Sequence, residues 1–347
     1  MLRTKLSGKN IKNIHGPISF HYMKKGDKKI YLFGDKHYKY PEFCPSSQNI
    51  VPLLNEIREN HNLFIEGECR EPEDVDLTNY ICEVIKNVKQ TSTRKIFYSD
   101  KRYTHLSFIM RLRAMLVCII DNNVKGFMIT NYYVEEELEK IKDCLENYDK
   151  GLQMTEVNLL LNKLKDEKIK EEYPQAYSIL YQYGKDLLSR VDIKKFNFII
   201  KNSRVAFKKI LKNNKRKNET VNNFIESLNT NRQINVPVDV QNFLNREDFI
   251  YSCIELSPQI ALGTGAYMDI YIISHFLLSD IKNNVVYAGD THVKYYIEIL
   301  TKLGFELIFS YKSIPTVHKN IMFPKQENIQ HNDQCVPIGN TKLPLFS

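Results

Sequence analysis

Short runs of alternating and continuous apolar residues open the chain. PISFHYM and KKIYLFG flank Lys24-Lys25-Gly26-Asp27, so residues 17 to 33 predict a β-hairpin. A helix is expected from about Asn49 to Glu59, then a strand over Asn62-Leu63-Phe64-Ile65 that ends at Glu66-Gly67. Residues 76 to 90, and the apolar stretch 103 to 121 with its Arg111 and Arg113, predict two more helices. Hairpin, helix and strand in that order are how α/β folds begin. From about Tyr133 to Leu228 strand signals fade and Lys, Glu, Asn and Leu take over. In VEEELEKIKDCLENY, Val134, Leu138, Ile141 and Leu145 form one helical stripe. NNKRKN, from Asn213 to Asn218, reads as a basic polar loop.

The α/β grammar returns near residue 250. An apolar helix from Tyr267 to Leu278, ended by Asn283-Asn284, precedes a buried strand, Val285 to Ala288. Gly289-Asp290-Thr291-His292 is a turn. A helix from Val293 to Leu303 follows, with Ile297, Leu300 and Leu303 inward and Gly304 closing it. Phe305 to Tyr311 predicts a last strand, and the tail from Phe323 is expected to be irregular. The fold class expected is α/β, a sheet core with a site at the carboxyl edge plus a helical insertion. Its domains are a discontinuous core (1–132 and 251–320), the insertion (133–250) and an irregular tail (321–347).

The 347 residues leave room for one large domain with an insertion or for two domains. A hydrophobic share of 43% and a charged share of 26% exclude wholesale disorder, and 13 Gly with 12 Pro exclude low-complexity classes. The net charge of +8 comes from 49 basic and 41 acidic residues, interspersed, so charge alone does not indicate a nucleic-acid partner. Seven cysteines without a C-x-x-C spacing point to free thiols in a reducing compartment. MLRTKLSGKNIKNIHG has no apolar segment and Ala114–Ile120 is too short to span a bilayer, so no membrane association and a cytoplasmic location are expected. Abundant Lys, Asn, Ile and Tyr with no Trp fit an AT-rich genome, such as that of a large DNA virus or a protist, and then the virion or host cytoplasm.

Candidate chemistry rests on a pattern that occurs twice. YLFGDKHY (31–38) and VYAGDTHV (286–293) are each an apolar strand followed by Gly-Asp-x-His. Residues just past the carboxyl ends of strands in an open α/β sheet face a shared crevice. Histidine there can be acid, base or metal ligand, and aspartate can orient it or bind a metal itself. Two such turns could bring His37 and His292 into one site, with Asp35 and Asp290 beside them. The structural alternative is that Asp290 caps the helix that begins at once, and that Gly-Asp is ordinary turn chemistry. His292 is expected to face the crevice from its turn, half exposed.

Glu66 ends a strand at the same kind of edge and is a candidate base or metal ligand, or else a solvated loop carboxylate near Glu68 and Glu71. In GAYMDIYIISHFLL, Asp269 and His275 interrupt an apolar helix. Asp269, in the expected first turn, could reach the crevice or simply favour the helix dipole. His275 reads as a core histidine. Arg111 and Arg113 read as snorkelling, with anion binding as the alternative.

A strand ending in G-x-x-H (Gly34, His37), a strand ending in Glu66, and a late strand-G-x-x-H-helix (Gly289, His292) together resemble the TraB/Tiki/ChaN/erythromycin-esterase superfamily. The resemblance covers roughly residues 28 to 70 and 260 to 310, and Asp269 stands near the segment where the family carries an arginine-bearing helix. It implies an α/β core with helical additions. Members include macrolide-ring esterases, metal-dependent proteases, and haem-binding or signalling proteins. By resemblance, this chain is a hydrolase of an ester or amide in a small-molecule or peptide substrate. One divalent ion on His37, Glu66 and His292 activates water in one version, and Glu66 or a histidine is the general base in the other. Two other readings stand beside it. One is a calcineurin-like metallophosphoesterase, whose G-D-x-x-D and G-N-H motifs do not occur here. The other is a non-catalytic binding or virion-associated protein on a degenerate α/β core. P-loop, G-x-G-x-x-G, H-E-x-x-H and G-x-S-x-G motifs do not occur.

Overall fold

A computed structural model of the chain describes residues 13–36, 47–57, 59–67, 80–99, 147–153, 155–220, 223, 235–312 and 335–337. His37, the helix expected over 103–121 with Arg111 and Arg113, and the stripe from Val134 to Leu145 lie outside them, as do Glu68 and Glu71. The fold is α/β, and its residues divide into two compact units. The first takes in residues 1–100, 163–179 and 271–347, and the second 101–162 and 180–270.

The first unit is built on the predicted hairpin, β2 (Ser19–Lys25) and β3 (Lys28–Asp35), turned at Gly26 with φ 55°. Aromatic pairs across it fix the register: Phe20 stacks on Phe33 and Tyr22 on Tyr31, each directly opposite. After β1 (Asn13–His15) and this hairpin come β4 (Ser47–Asn49), α1 (Ile50–Glu56), β5 (His61–Ile65), α2 (Tyr80–Asn87) and β6 (Arg94–Tyr98). Late in the chain come β7 (Asn283–Gly289), a helix over Asp290–Lys302, β8 (Glu306–Lys312) and β9 (Cys335–Pro337).

The main sheet has the order β6-β5-β7-β3-β2-β8. β6, β5, β7 and β3 are parallel, and β2 is antiparallel to both β3 and β8. The carboxyl ends of β3, β5, β6, β7 and β8, and the start of β2, therefore share one edge. β3, β5 and β7 are buried on both faces, as continuous apolar runs require, whereas the edge strand β6 is half exposed. Tyr31, Phe33, Leu63, Ile65, Val285 and Tyr287 pack with Ile50, Leu54, Ile81 and Val84 of α1 and α2. The alternating residues Ile30, Leu32, Phe64, Val286 and Ala288 are buried too. At the amino ends, Asn62 donates to Asn284 Oδ1 (2.9 Å) and to Ser279 Oγ (2.8 Å), which ties β5 to β7.

Two features were not foreseen. β6 hides in the sequence because its inward position is a charge: Arg94 is 2% exposed. Its guanidinium reaches His61 Nε2 (3.1 Å), Asn55 Oδ1 (3.0 Å), Lys89 O (2.9 Å) and Leu54 O, so it ties β5 and the ends of α1 and α2 together. The tail is not wholly irregular either. β9 pairs antiparallel with β1, which also pairs parallel with β4, and Val336 joins the same core as Ile14.

All described elements between residues 147 and 250 are helices: α3 (Tyr148–Gln153), α4 (Glu156–Lys163), α5 (Glu167–Glu172), α6 (Ala176–Leu188), α7 (Ile193–Asn214), α8 (Val238–Leu244) and the start of α9 (Glu247–Leu278). The helix after β7 (Asp290–Lys302) is α10. Residues 163–179 cluster with the sheet unit, where Tyr173 stacks on Phe305 and lies under the Lys25 ammonium. The helix expected to begin at Tyr267 in fact begins at Glu247. Gly263 and Gly265 lie inside it, and Gly263 lets Leu188 and Val191 approach within 3.2 Å of where a Cβ would stand. Among the described residues α9 is the one helix long and apolar enough to cross a membrane, and 83% of its apolar window is buried inside the protein.

Candidate functional site

The two Gly-Asp-x-His segments lie on neighbouring parallel strands, one residue out of step. Gly34 pairs with Ala288 and Asp35 with Gly289. A one-residue slip exchanges the faces of a strand, so identical letters take different jobs. Asp35 is the last residue of β3 and is 2% exposed. Gly289 is the N-cap of α10, and Asp290 is the first helical residue. The cap is thus the glycine and not the aspartate.

Asp290 is held from two other strands. Ser19 Oγ, at the start of β2, donates to its Oδ1 (2.6 Å), and Lys312 Nζ, at the end of β8, to its Oδ2 (2.5 Å). Burial pushes the Asp290 carboxyl up, but the hydrogen bonds from Lys312 and Ser19 and the charges of Lys312 and Lys294 outweigh it, and the group sits below the usual carboxylate range. Gly34 is what lets these groups meet. A Cβ there would stand 2.2 Å from Ser19 Oγ, 2.9 Å from Asp290 Oδ1 and 3.0 Å from Asp290 Cα. Beside this cluster His21 Nδ1 pairs with Ser310 Oγ (2.9 Å). Burial pushes the His21 ring down to about 4, with Asp290 opposing and Lys312 reinforcing the shift. Ser19 and Lys312 escaped the sequence reading because they stand near opposite ends of the chain, with no shared spacing.

Glu66 follows β5 directly, and its amide N–H donates to Tyr287 O on β7 (2.9 Å). Its Oε2 accepts from the Gly289 amide (2.5 Å), and its Oε1 lies 3.7 Å from His292 Nε2 in the first turn of α10. Glu66 is therefore not a solvated loop carboxylate: it is 4% exposed, and His292 is 8% exposed. The half-exposed position expected for His292 is corrected here. Its turn is already helix, and α10 packs its first turn onto the sheet, with Val293 and Tyr296 wholly buried.

The sheet edge thus brings together Asp35, Glu66, Asp290 and His292 at the ends of β3, β5 and β7. Asp269 belongs to the other unit. It lies inside α9, where the helix-terminus dipole no longer acts, and it accepts a hydrogen bond from Tyr183 of α6. His275 is half-buried, not a core residue, and packs against Phe97 and Tyr271, ring centroids 5.0 and 4.5 Å away. His37 is outside the described residues. Among the described residues no three His, Cys, Asp or Glu come together as a metal ion requires. Glu66 and His292 are the two described members of the expected ligand set, and His37, the third, lies outside the described residues.

No family model matches the chain, and neither a curated protein nor a solved structure matches it.

Proposed function

We propose that the chain is a cytoplasmic hydrolase of the TraB/Tiki/erythromycin-esterase type, acting on an ester or amide in a small-molecule or peptide substrate. One observation carries this reading: a carboxylate and an imidazole, Glu66 and His292, form a buried pair 3.7 Å apart at the carboxyl ends of adjacent parallel strands. In the reaction His292 takes a proton from the attacking water. Glu66, held by the Gly289 amide, orients the ring and stabilises the charge it gains. The proton then passes to the leaving oxygen or nitrogen. A positioned acid–base of this kind contributes on the order of 10²–10⁴-fold. The test is a panel of p-nitrophenyl esters and aminoacyl p-nitroanilides with the wild type, Glu66→Gln and His292→Gln. Turnover by the wild type that both variants lose supports the reading, and no turnover on any member counts against it.

The low exposure of both side chains favours a second reading, a non-catalytic binding protein in which the pair fixes α10 to the sheet. On that reading both variants lower the melting temperature and the wild type has no turnover to lose.

A further inference from the structure

We propose that α7 is a docking surface for the phosphate backbone of a duplex nucleic acid. Between Ile193 and Asn218 the chain carries ten Lys and Arg and no Asp or Glu. The whole-chain proportions, 49 basic and 41 acidic in 347 residues, would put about four and about three in such a window. The AT-rich composition therefore does not account for it, since it raises lysine everywhere without removing acids here.

The structure sorts these charges. Phe196, Ile199, Ala206 and Ile210 are buried and face the helical unit. Lys194, Lys201, Lys208 and Lys212 are exposed and fall on one stripe at spacings of seven and four residues, and Lys215, Arg216 and Lys217 follow directly, also exposed. None of these seven makes an ion pair with a described residue, whereas Lys195 and Lys209 are taken up by Glu255 and Asp239. From Lys194 to Lys215 the stripe runs about 30 Å at 1.5 Å per residue, close to one duplex turn of about 34 Å.

The chemistry of the face selects the partner. A helix that lies in a membrane surface presents apolar residues to the lipid. Here the buried side of α7 is apolar, and among the exposed α7 positions that are described Val205, 49% exposed, is the one hydrophobic residue. An acidic protein partner would be anchored through aromatic or apolar hot spots, in which valine is under-represented, and among the described exposed positions of α7 Val205 is the one apolar residue. Single-stranded binders stack bases on aromatics, and the described exposed positions of α7 hold none. Exposed Asn197, Asn213 and Asn218 are interleaved with the lysines and add donors for phosphate and sugar oxygens. A rod of mobile cations with amide donors fits a duplex backbone, read without regard to sequence.

The test is fluorescence anisotropy of the full chain on a ~30-base-pair DNA duplex between about 50 and 200 mM salt. Seven contacts predict a slope of log K against log salt near −6. Lys201→Gln/Lys208→Gln/Lys212→Gln should weaken binding and make the slope shallower by about 2–3, with the circular dichroism spectrum unchanged because all three side chains are exposed. A control that removes three exposed charges elsewhere, Lys89→Gln/Lys168→Gln/Lys302→Gln, should keep the wild-type slope. The proposal is overturned by no duplex binding, by equal losses in the two triple variants, or by binding to phosphatidylserine vesicles in place of the duplex.

Discussion

Gly34→Ala tests whether the first Gly-Asp-x-His segment serves the second. The new methyl would meet Ser19 Oγ at 2.2 Å, Asp290 Oδ1 at 2.9 Å and Asp290 Cα at 3.0 Å. The serine hydroxyl can rotate away, but the start of α10 cannot move without leaving β3. Gly34 lies inside a regular strand, so no special backbone angle enters the balance. Overpacking of this kind costs about 1–3 kcal/mol, and loss of the Ser19 hydrogen bond to a charged acceptor adds about 1.5–3 kcal/mol. The expected total is about 3–5 kcal/mol. Urea unfolding near neutral pH reads it directly. Ser19→Ala alone should cost about 2 kcal/mol, and the double variant should fall short of the sum by about 1–2 kcal/mol, because the two changes share one contact. A cost below ~1 kcal/mol for Gly34→Ala, or strict additivity, would refute the reasoning.

Arg94→Met removes four hydrogen bonds that join β5, α1 and α2, and leaves buried acceptors behind. It should cost about 3–4 kcal/mol, and Arg94→Lys, which lacks the planar fork, should recover only part of that. An unfolding midpoint unchanged by Arg94→Met would be the contrary result. His21 is neutral in the folded chain down to about 4, against 6.5 when unfolded, so the unfolded chain binds the extra proton between those values. Its contribution is whole above about pH 6.5 and drains away as pH falls toward 4, on the order of 3 kcal/mol in all. His21→Gln should flatten that part of the pH–stability curve, and an unaltered acid limb would count against it.

The hairpin, β5, β7 and β8 were legible because their apolar runs are local and their turns carry glycine or polar residues. The strand order was not, since nothing in the spacing says that β7 enters between β3 and β5. The repeat of Gly-Asp-x-His was legible as a pair of strand ends. Its one-residue offset, which turns Asp290 toward Ser19 and Lys312, exists only once the strands are side by side. Glu66 and His292 were readable as candidates, but their mutual distance and burial depend on pairings more than 200 residues apart in sequence. β6 was obscured by an inward arginine, and the length of α9 by Gly263, which serves packing rather than a turn.

The central claim is that Glu66 and His292 act as one catalytic unit. Its most direct test is kcat/KM for hydrolysis of the best panel substrate by the wild type, Glu66→Gln, His292→Gln and the double variant, each checked for folding. Groups that act together are strongly non-additive. The account predicts that each single change loses about 10²–10⁴-fold and that the double variant loses no more than the worse single one. Losses that multiply in the double variant, or a single variant that keeps wild-type kcat/KM, would contradict it.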